Sequence, residues 1–173
     1  METMQKRNCV LDKEAISRRM KRMALQIAEQ NIDAKELIVA GIAGNGEIVA
    51  RCLMDELEKL GSFDLQLVQV QLNKKELSEV SLVPVIDVNQ KVVILVDDVA
   101  NTGKTMLYAL KPFLAANPKK IQTLVLVERS HKLFPVQTDY AGLSIATTLQ
   151  EHIAVEVEGE VITGACAVVV RMQ

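Results

Sequence analysis

Apolar residues recur along this chain in two alternating rhythms. Between residues 12 and 31, Ile16, Met20, Met23 and Ile27 follow at spacings of four, three and four, which sets them on one helix face. Asp12 stands where a helix N-cap belongs. Leu37 to Ala40 is a short buried strand, followed by a glycine loop from Gly41 to Gly46. Residues 47–60 return to the helical rhythm with Val49, Leu53, Leu57 and Leu60, and Gly61 supplies the stop. Leu65 to Leu72 alternates imperfectly and predicts a strand. Asn73 to Asn89 has no clean period and holds Pro84, which predicts a loop with room for a short strand. Val92 to Val96 is an unbroken apolar run, the pattern of a parallel strand covered on both faces. A third helix is expected after Gly103, kinked or cut short at Pro112, which cannot donate to a preceding carbonyl. Ile121 to Val127 predicts another buried strand. The tail from Ile153 to Val170 predicts at least one more, interrupted at Gly159 and Gly164.

Strand and helix alternate, so the expected class is α/β: a mostly parallel twisted sheet flanked by helices. The chain has 173 residues, a length that suits one domain with a full core. Its net charge of −2 and its scarcity of aromatics, 3%, argue against a sequence-independent nucleic-acid binder with a stacking platform. Arg18, Arg19, Lys21 and Arg22 nevertheless form a basic stripe on the first helix, read as a solvated face with RNA as the functional alternative. Three cysteines, Cys9, Cys52 and Cys166, stand far apart in the chain with no metal-type spacing. That usage predicts a reducing, cytoplasmic compartment. No apolar leader or membrane-length run is visible, so no membrane association is expected.

In parallel α/β sheets ligands gather beyond the carboxyl ends of the strands. Three of those ends carry chemistry: Gly41-Ile42-Ala43-Gly44-Asn45-Gly46, then Asp97-Asp98-Val99-Ala100-Asn101-Thr102-Gly103-Lys104-Thr105, then Glu128-Arg129-Ser130-His131. In the second, small and hydroxyl residues open a helix, where outward N–H groups suit a phosphate. Asp97 and Asp98 cannot bind phosphate, but they can accept hydrogen bonds from a sugar diol or hold a divalent cation through water. A phosphate donor set beside a diol acceptor set describes a ribose 5-phosphate. The rival phosphate motifs fail on spacing. A P-loop needs glycine where Asp98 stands, and Gly41, Gly44 and Gly46 do not fit the dinucleotide fingerprint.

The segment from Val93 to Thr105, an apolar strand, two acids and a Thr/Gly loop, resembles the signature for phosphoribosyl pyrophosphate (PRPP) in type I phosphoribosyltransferases. Within that family the likeness is to the bifunctional pyrimidine operon attenuators and uracil phosphoribosyltransferases. It extends to the opening Leu11-Asp12 helix, Gly41 to Gly46 with Ala50-Arg51 and Leu53, Leu126 to His131, Pro135, Asp139-Tyr140 and Gly142.

The resemblance implies a single phosphoribosyltransferase-like domain over residues 1–173, with 73–89 as a shortened hood. It implies ribose binding by Asp97 and Asp98, and 5-phosphate binding by Ala100, Asn101, Thr102, Gly103, Lys104 and Thr105. Pyrophosphate would lie on Ala43, Gly44, Asn45 and Gly46, and the base by Glu128, Arg129, Ser130 and His131. Asp98 is the candidate proton acceptor. Mg²⁺ would accompany PRPP without direct protein ligands, and a homo-oligomer is expected. The implied reaction is transfer of ribose 5-phosphate to a nucleobase, a pyrimidine such as uracil.

The chain also departs from the resembled pattern. The family's loop reads Gly-Ile-Lys-Thr-Arg-Gly, so two cations that would meet pyrophosphate are missing and Glu47 follows. Lys74 or Lys75 is the candidate replacement charge. At the base pocket Glu128 and Ser130 stand for an Asp and a Gly. These departures keep a second expectation open: a PRPP- or nucleotide-binding regulator with little catalysis, with RNA as a partner that the charge balance disfavours.

Overall fold

The computed structural model describes residues 7–73, 76–77, 79–148 and 151–169. In chain order the elements are β1 (Arg7–Asp12), α1 (Lys13–Gln30), β2 (Glu36–Ile42), α2 (Asn45–Leu60), β3 (Asp64–Leu72), β4 (Val80–Val83), β5 (Val92–Ala100), α3 (Lys104–Ala109), α4 (Lys111–Leu114), β6 (Lys120–Arg129), β7 (Tyr140–Ile145), β8 (Glu151–Glu158) and β9 (Val161–Val169). Six strands form a central sheet in the order β4-β3-β2-β5-β6-β7. All its pairs are parallel except β3–β4. A separate antiparallel sheet, β1-β9-β8, joins the two ends of the chain.

The apolar runs explain the layering. In β5, Val92, Ile94 and Val96 pack on one side with α1 and α2, while Val93 and Leu95 pack on the other with Met106, Ala109 and Phe113 of α3 and α4. A strand buried on both faces has no place for alternation, and β5 has none from Val92 to Val96. The α1 stripe of Ile16, Met20, Met23, Ala24 and Ile27 is buried throughout. Asp12 caps α1 by accepting from the Ala15 amide at 2.7 Å. Gly61, at φ 64°, closes α2 in the left-handed region. Leu110 separates α3 from α4 and Pro112 follows as the second residue of α4, so the expected break falls just ahead of the proline.

Four features differ from the sequence expectation. Residues 7–12 form a strand, because β9 supplies a partner that no local pattern announces. Tyr140–Ile145 is an edge strand on β6. Gly164 does not interrupt the tail: it lies inside β9, opposite Asp12 and Glu156, and only Gly159 makes a turn. The acidic pair lies within β5, which runs on to Ala100. The expected short strand within 73–89 is β4, while Lys74 and Lys75 lie outside the described residues.

Arg19 and Arg22 of α1 reach the edge strand β7. Arg19 Nη1 donates to the Gly142 carbonyl at 2.5 Å, and Arg22 Nη2 to those of Ala141 at 2.7 Å and Gly142 at 3.2 Å. Arg18 pairs with Glu14 one turn back. Three of the four charges in the stripe therefore have partners within the fold.

Candidate active site

The carboxyl ends of β2 and β5 lie side by side, since Gly41 pairs with Val96. That adjacency brings the glycine loop onto the acidic pair. Gly46 sits so close that a Cβ there would be 2.9 Å from Asp97 Oδ1 and 3.1 Å from the Val96 carbonyl. Glycine is the residue that permits this approach. Asn45 Nδ2 donates to Asp98 Oδ2 at 3.1 Å and to the Val155 carbonyl of β8 at 3.4 Å.

The carboxylates are aimed by their own backbone. Asp97 Oδ1 accepts from the Asp98 amide, and Asp98 Oδ1 from the Val99 amide, both at 2.8 Å. A carboxylate offers about four lone-pair sites, and Asp98 uses one oxygen on the Val99 amide and the other on Asn45. Asp97 is 8% exposed; Asp98 is half-buried.

Beyond them, Asp97, Ala100, Asn101, Thr102, Gly103 and Thr105 line a small cavity of about 80 Å³. Gly103, at φ 83°, turns the chain into α3. The Lys104 amide is taken by Thr102 Oγ1 at 3.2 Å. Among the described residues no protein acceptor takes the amides of Thr102, Gly103 or Thr105. The loop is braced from behind, with the Thr102 carbonyl accepting from the Leu133 and Phe134 amides at 3.0 Å each. On the other side, Asn101 Oδ1 accepts from the Ile153 amide of β8 at 3.4 Å. The edge of the small sheet thus touches both loops through Asn45 and Asn101. Sequence reading missed this role for β8, because backbone atoms make the contact and leave no residue signature.

A strand-end acid pair beside a rigid turn with open amides has the chemistry of a sugar-phosphate site. The sequence profile of the phosphoribosyl transferase domain matches residues 7–158. The chain belongs to the phosphoribosyl transferase domain family. It is 35% identical over 160 residues to the bifunctional protein PyrR of Clostridium acetobutylicum, covering 87% of this chain and 90% of that one. It is 33% identical to the PyrR of Staphylococcus carnosus, covering 86% and 91%. In fold it matches a hypoxanthine-guanine phosphoribosyltransferase of Bacillus anthracis with a TM-score of 0.73 at 19% identity, over 94% of this chain and 98% of the other. The hypoxanthine phosphoribosyltransferase of Trypanosoma cruzi gives a TM-score of 0.76 at 16% identity, over 91% and 95%. The protein is a phosphoribosyltransferase of the α/β class, with the expected mostly parallel sheet flanked by helices.

Two other parts of this phosphoribosyltransferase shape the site. A larger cavity of about 840 Å³ opens between the β3–β4 hairpin and α4, meeting the glycine loop at Ala43. Glu47, just after that loop, accepts from Arg51 at 2.7 Å and from Gln69 at 2.5 Å, so its charge is balanced locally.

The segment after β6 is a clamp. Glu128 accepts from Lys132 at 2.9 Å, from Ser144 at 2.6 Å and from Thr138. Arg129 is buried and donates to Thr147 Oγ1 at 2.6 Å and to the Thr148 carbonyl at 3.0 Å. Of the four residues assigned to the base, Ser130 and His131 are exposed, while Glu128 and Arg129 hold neighbouring segments. Burial pushes the Glu128 carboxyl upward, but the hydrogen bonds from Ser144, Thr138 and Lys132, with the Lys132 charge, outweigh it and hold it below its ordinary 4.5. A depressed carboxylate stabilises the fold above its unfolded value and loses that contribution as pH falls through its folded value. Glu128→Gln is expected to lower stability at neutral pH and to flatten the acid limb, as measured by urea midpoints from neutrality down through the carboxylate range. Curves that run parallel in the two proteins would contradict this.

No helix among the described residues is long and apolar enough to cross a membrane.

Proposed function

We propose that this phosphoribosyltransferase transfers ribose 5-phosphate from PRPP to a pyrimidine base, with uracil the first acceptor to test. The observation that carries the reading is the 80 Å³ cavity whose wall joins Asp97 to the 101–105 turn. Asp97 and Asp98 accept from the ribose hydroxyls. The open amides of Thr102, Gly103 and Thr105, with the threonine hydroxyls, hold the 5-phosphate at the start of α3. The likeness to PyrR proteins and to attenuator-type enzymes supports a pyrimidine.

Leaving-group chemistry sets the remaining roles. Loss of pyrophosphate builds positive charge at C1 of the sugar, and the fixed acids close by stabilise it. Asp98 is the proton acceptor we assign. Mg²⁺ is a hard cation that keeps waters and substrate oxygens around it, and Asp97 and Asp98 would hold it through those waters. When bound, Mg²⁺ neutralises and orients the leaving pyrophosphate. The 73–89 segment, whose β4 walls the larger cavity beside Ala43, is the hood that excludes water. The reducing cytoplasm is the compartment we assign. Reduced protein with PRPP, Mg²⁺ and uracil is expected to give UMP and pyrophosphate, with hypoxanthine and guanine as comparison acceptors. No turnover of any base would refute the transfer reading.

A second reading has its own observation. Ala43, Gly44, Asn45 and Gly46 bring no cation to the pyrophosphate position, and Asn45 is turned onto Asp98 and Val155. The site then favours the nucleotide end of its ligands, as a nucleotide-holding regulator requires. Hydrogen bonds to charged groups contribute about 1.5–3 kcal/mol, so restoring one cation with Ala43→Lys is expected to tighten PRPP by about 10- to 100-fold. UMP, which lacks pyrophosphate, should change little. Calorimetric titration of both ligands checks this; equal gains for the two would remove the assignment of residues 43–46 to pyrophosphate.

A further inference from the structure

We propose that Cys9, Glu156 and Cys166 form a binding site for a thiophilic divalent cation of the Zn²⁺ class. The three residues come from three adjacent strands of the small sheet and lie outside the sugar-phosphate site. Cys9 of β1 pairs directly with Cys166 of β9, and Glu156 of β8 pairs with Gly164, two residues before Cys166. Residues two apart on a strand share a face, so thiol, thiol and carboxylate converge on one side of the sheet. Their ligand atoms all lie within 4.8 Å of one another.

Two features of the backbone make this convergence. The β1–β9 register slips between Cys9 and Leu11, so that Cys9 opposes Cys166 while Leu11 opposes Ala165. Without the extra residue Cys9 and Leu11 would share a face; the bulge sends Leu11 into the core and leaves Cys9 with Cys166. Gly164 is the second feature. It lies opposite Glu156, whose Oε2 reaches over the strand to within 3.6 Å of where a Cβ at 164 would stand.

The ligand chemistry selects the metal. Two thiolates and one carboxylate form a borderline-soft set suited to Zn²⁺ and unsuited to Mg²⁺, which takes oxygen alone. In a tetrahedral zinc site with Zn–S near 2.3 Å, neighbouring ligand atoms stand about 3.8 Å apart. A spread of up to 4.8 Å therefore needs contraction by about one ångström at most. Cys9 is exposed, which supplies an entry path, and water completes the fourth position.

Without a cation the Cys166 thiol resists ionising. Burial, then the Cys9 hydrogen bond and charge, then Glu156, push the Cys166 thiol up to about 12. A dication in the midst of these groups reverses that balance. Binding is Zn²⁺ plus two thiols going to a zinc dithiolate and two protons, so affinity falls as pH falls. The position has a consequence for the enzyme. β8 also carries the Val155 carbonyl that meets Asn45 and the Ile153 amide that meets Asn101, so a cation joining β1, β9 and β8 fastens the edge that braces both ligand loops.

The test uses fully reduced full-length protein titrated with Co²⁺ and Zn²⁺. One equivalent of Co²⁺ should give a thiolate-to-metal charge-transfer band, and Zn²⁺ should displace it, release protons and shield two thiols from a thiol reagent. Cys9→Ser should abolish the band, Glu156→Gln should weaken binding at least tenfold, and Cys52→Ser should change nothing. Cys9 is exposed, so its variant is informative even where a change at buried Cys166 harms folding. No charge-transfer band, a band that survives Cys9→Ser, or one that depends on Cys52 would overturn the proposal.

Discussion

Conversion of Asp97 and Asp98 together to asparagine is expected to lower kcat/KM for PRPP by roughly 10²- to 10⁴-fold while leaving the fold intact. Each acid is assigned one charge-assisted contact with the ribose, at about 1.5–3 kcal/mol, and two such losses give that range. The fold should survive because an asparagine keeps the side-chain oxygen that accepts from the next backbone amide, the bond seen at 2.8 Å for both residues. Asp98→Asn, alone or in the double variant, carries a further cost. Asn45 Nδ2 donates to Asp98 Oδ2, and an amide at residue 98 turns either its oxygen or its NH₂ toward that donor. Steady-state kinetics paired with thermal unfolding decides the matter. Full activity in the double variant would show that the acids do not meet the sugar. Lost activity with an equally lost fold would move them to a structural role.

Gly142→Ala is expected to be the most destabilising single methyl in the central sheet. A Cβ at 142 would lie 2.3 Å from the Leu126 carbonyl oxygen and 3.2 Å from its carbon. Those are backbone atoms of β6, a strand held between β5 and β7, so they cannot swing aside as a side-chain tip would. The edge strand must move instead. Its carbonyls at Ala141 and Gly142 also receive Arg22 and Arg19, so displacement strains the tie between α1 and the sheet. Overpacking costs about 1–3 kcal/mol, and contact with backbone puts this site at the upper end. For a chain of this size that corresponds to a fall of about 6–12 °C in Tm. Gly159→Ala meets nothing within 4 Å and carries only the strain of a positive φ, so it should cost less. Calorimetry on the two variants checks the order; equal losses would mean that β7 can yield.

Much of the central sheet was legible because burial on both faces writes itself as an unbroken apolar run. β5 and β6 read directly as Val92 to Val96 and Ile121 to Val127, although each strand extends beyond its run where polar residues continue the pairing. The acid pair stood out because two carboxylates at the rim of so apolar a strand have no packing role. β7 was not legible. As an edge strand it is partly exposed, and its Gly142 serves close packing rather than any periodic signal. The Glu128-Arg129-Ser130-His131 segment was visible as a polar strand end, but the division of labour within it was not. Thr138, Ser144, Thr147 and Thr148 decide where Glu128 and Arg129 point, and they belong to later segments.

By itself the sequence determined the class of fold, the order of the buried strands along the chain and the one strand end that joins two acids to a Thr/Gly turn. Those properties depend on residues adjacent in the chain, where period, capping and turn chemistry act locally. Tertiary structure alone decided that Asn45 meets Asp98, that the edge of β8 braces both loops, and that Cys9, Glu156 and Cys166 share a face. Such meetings follow from strand order, register and a one-residue bulge. They are long-range pairings between segments whose own patterns are ordinary, so no local stretch of sequence contains them.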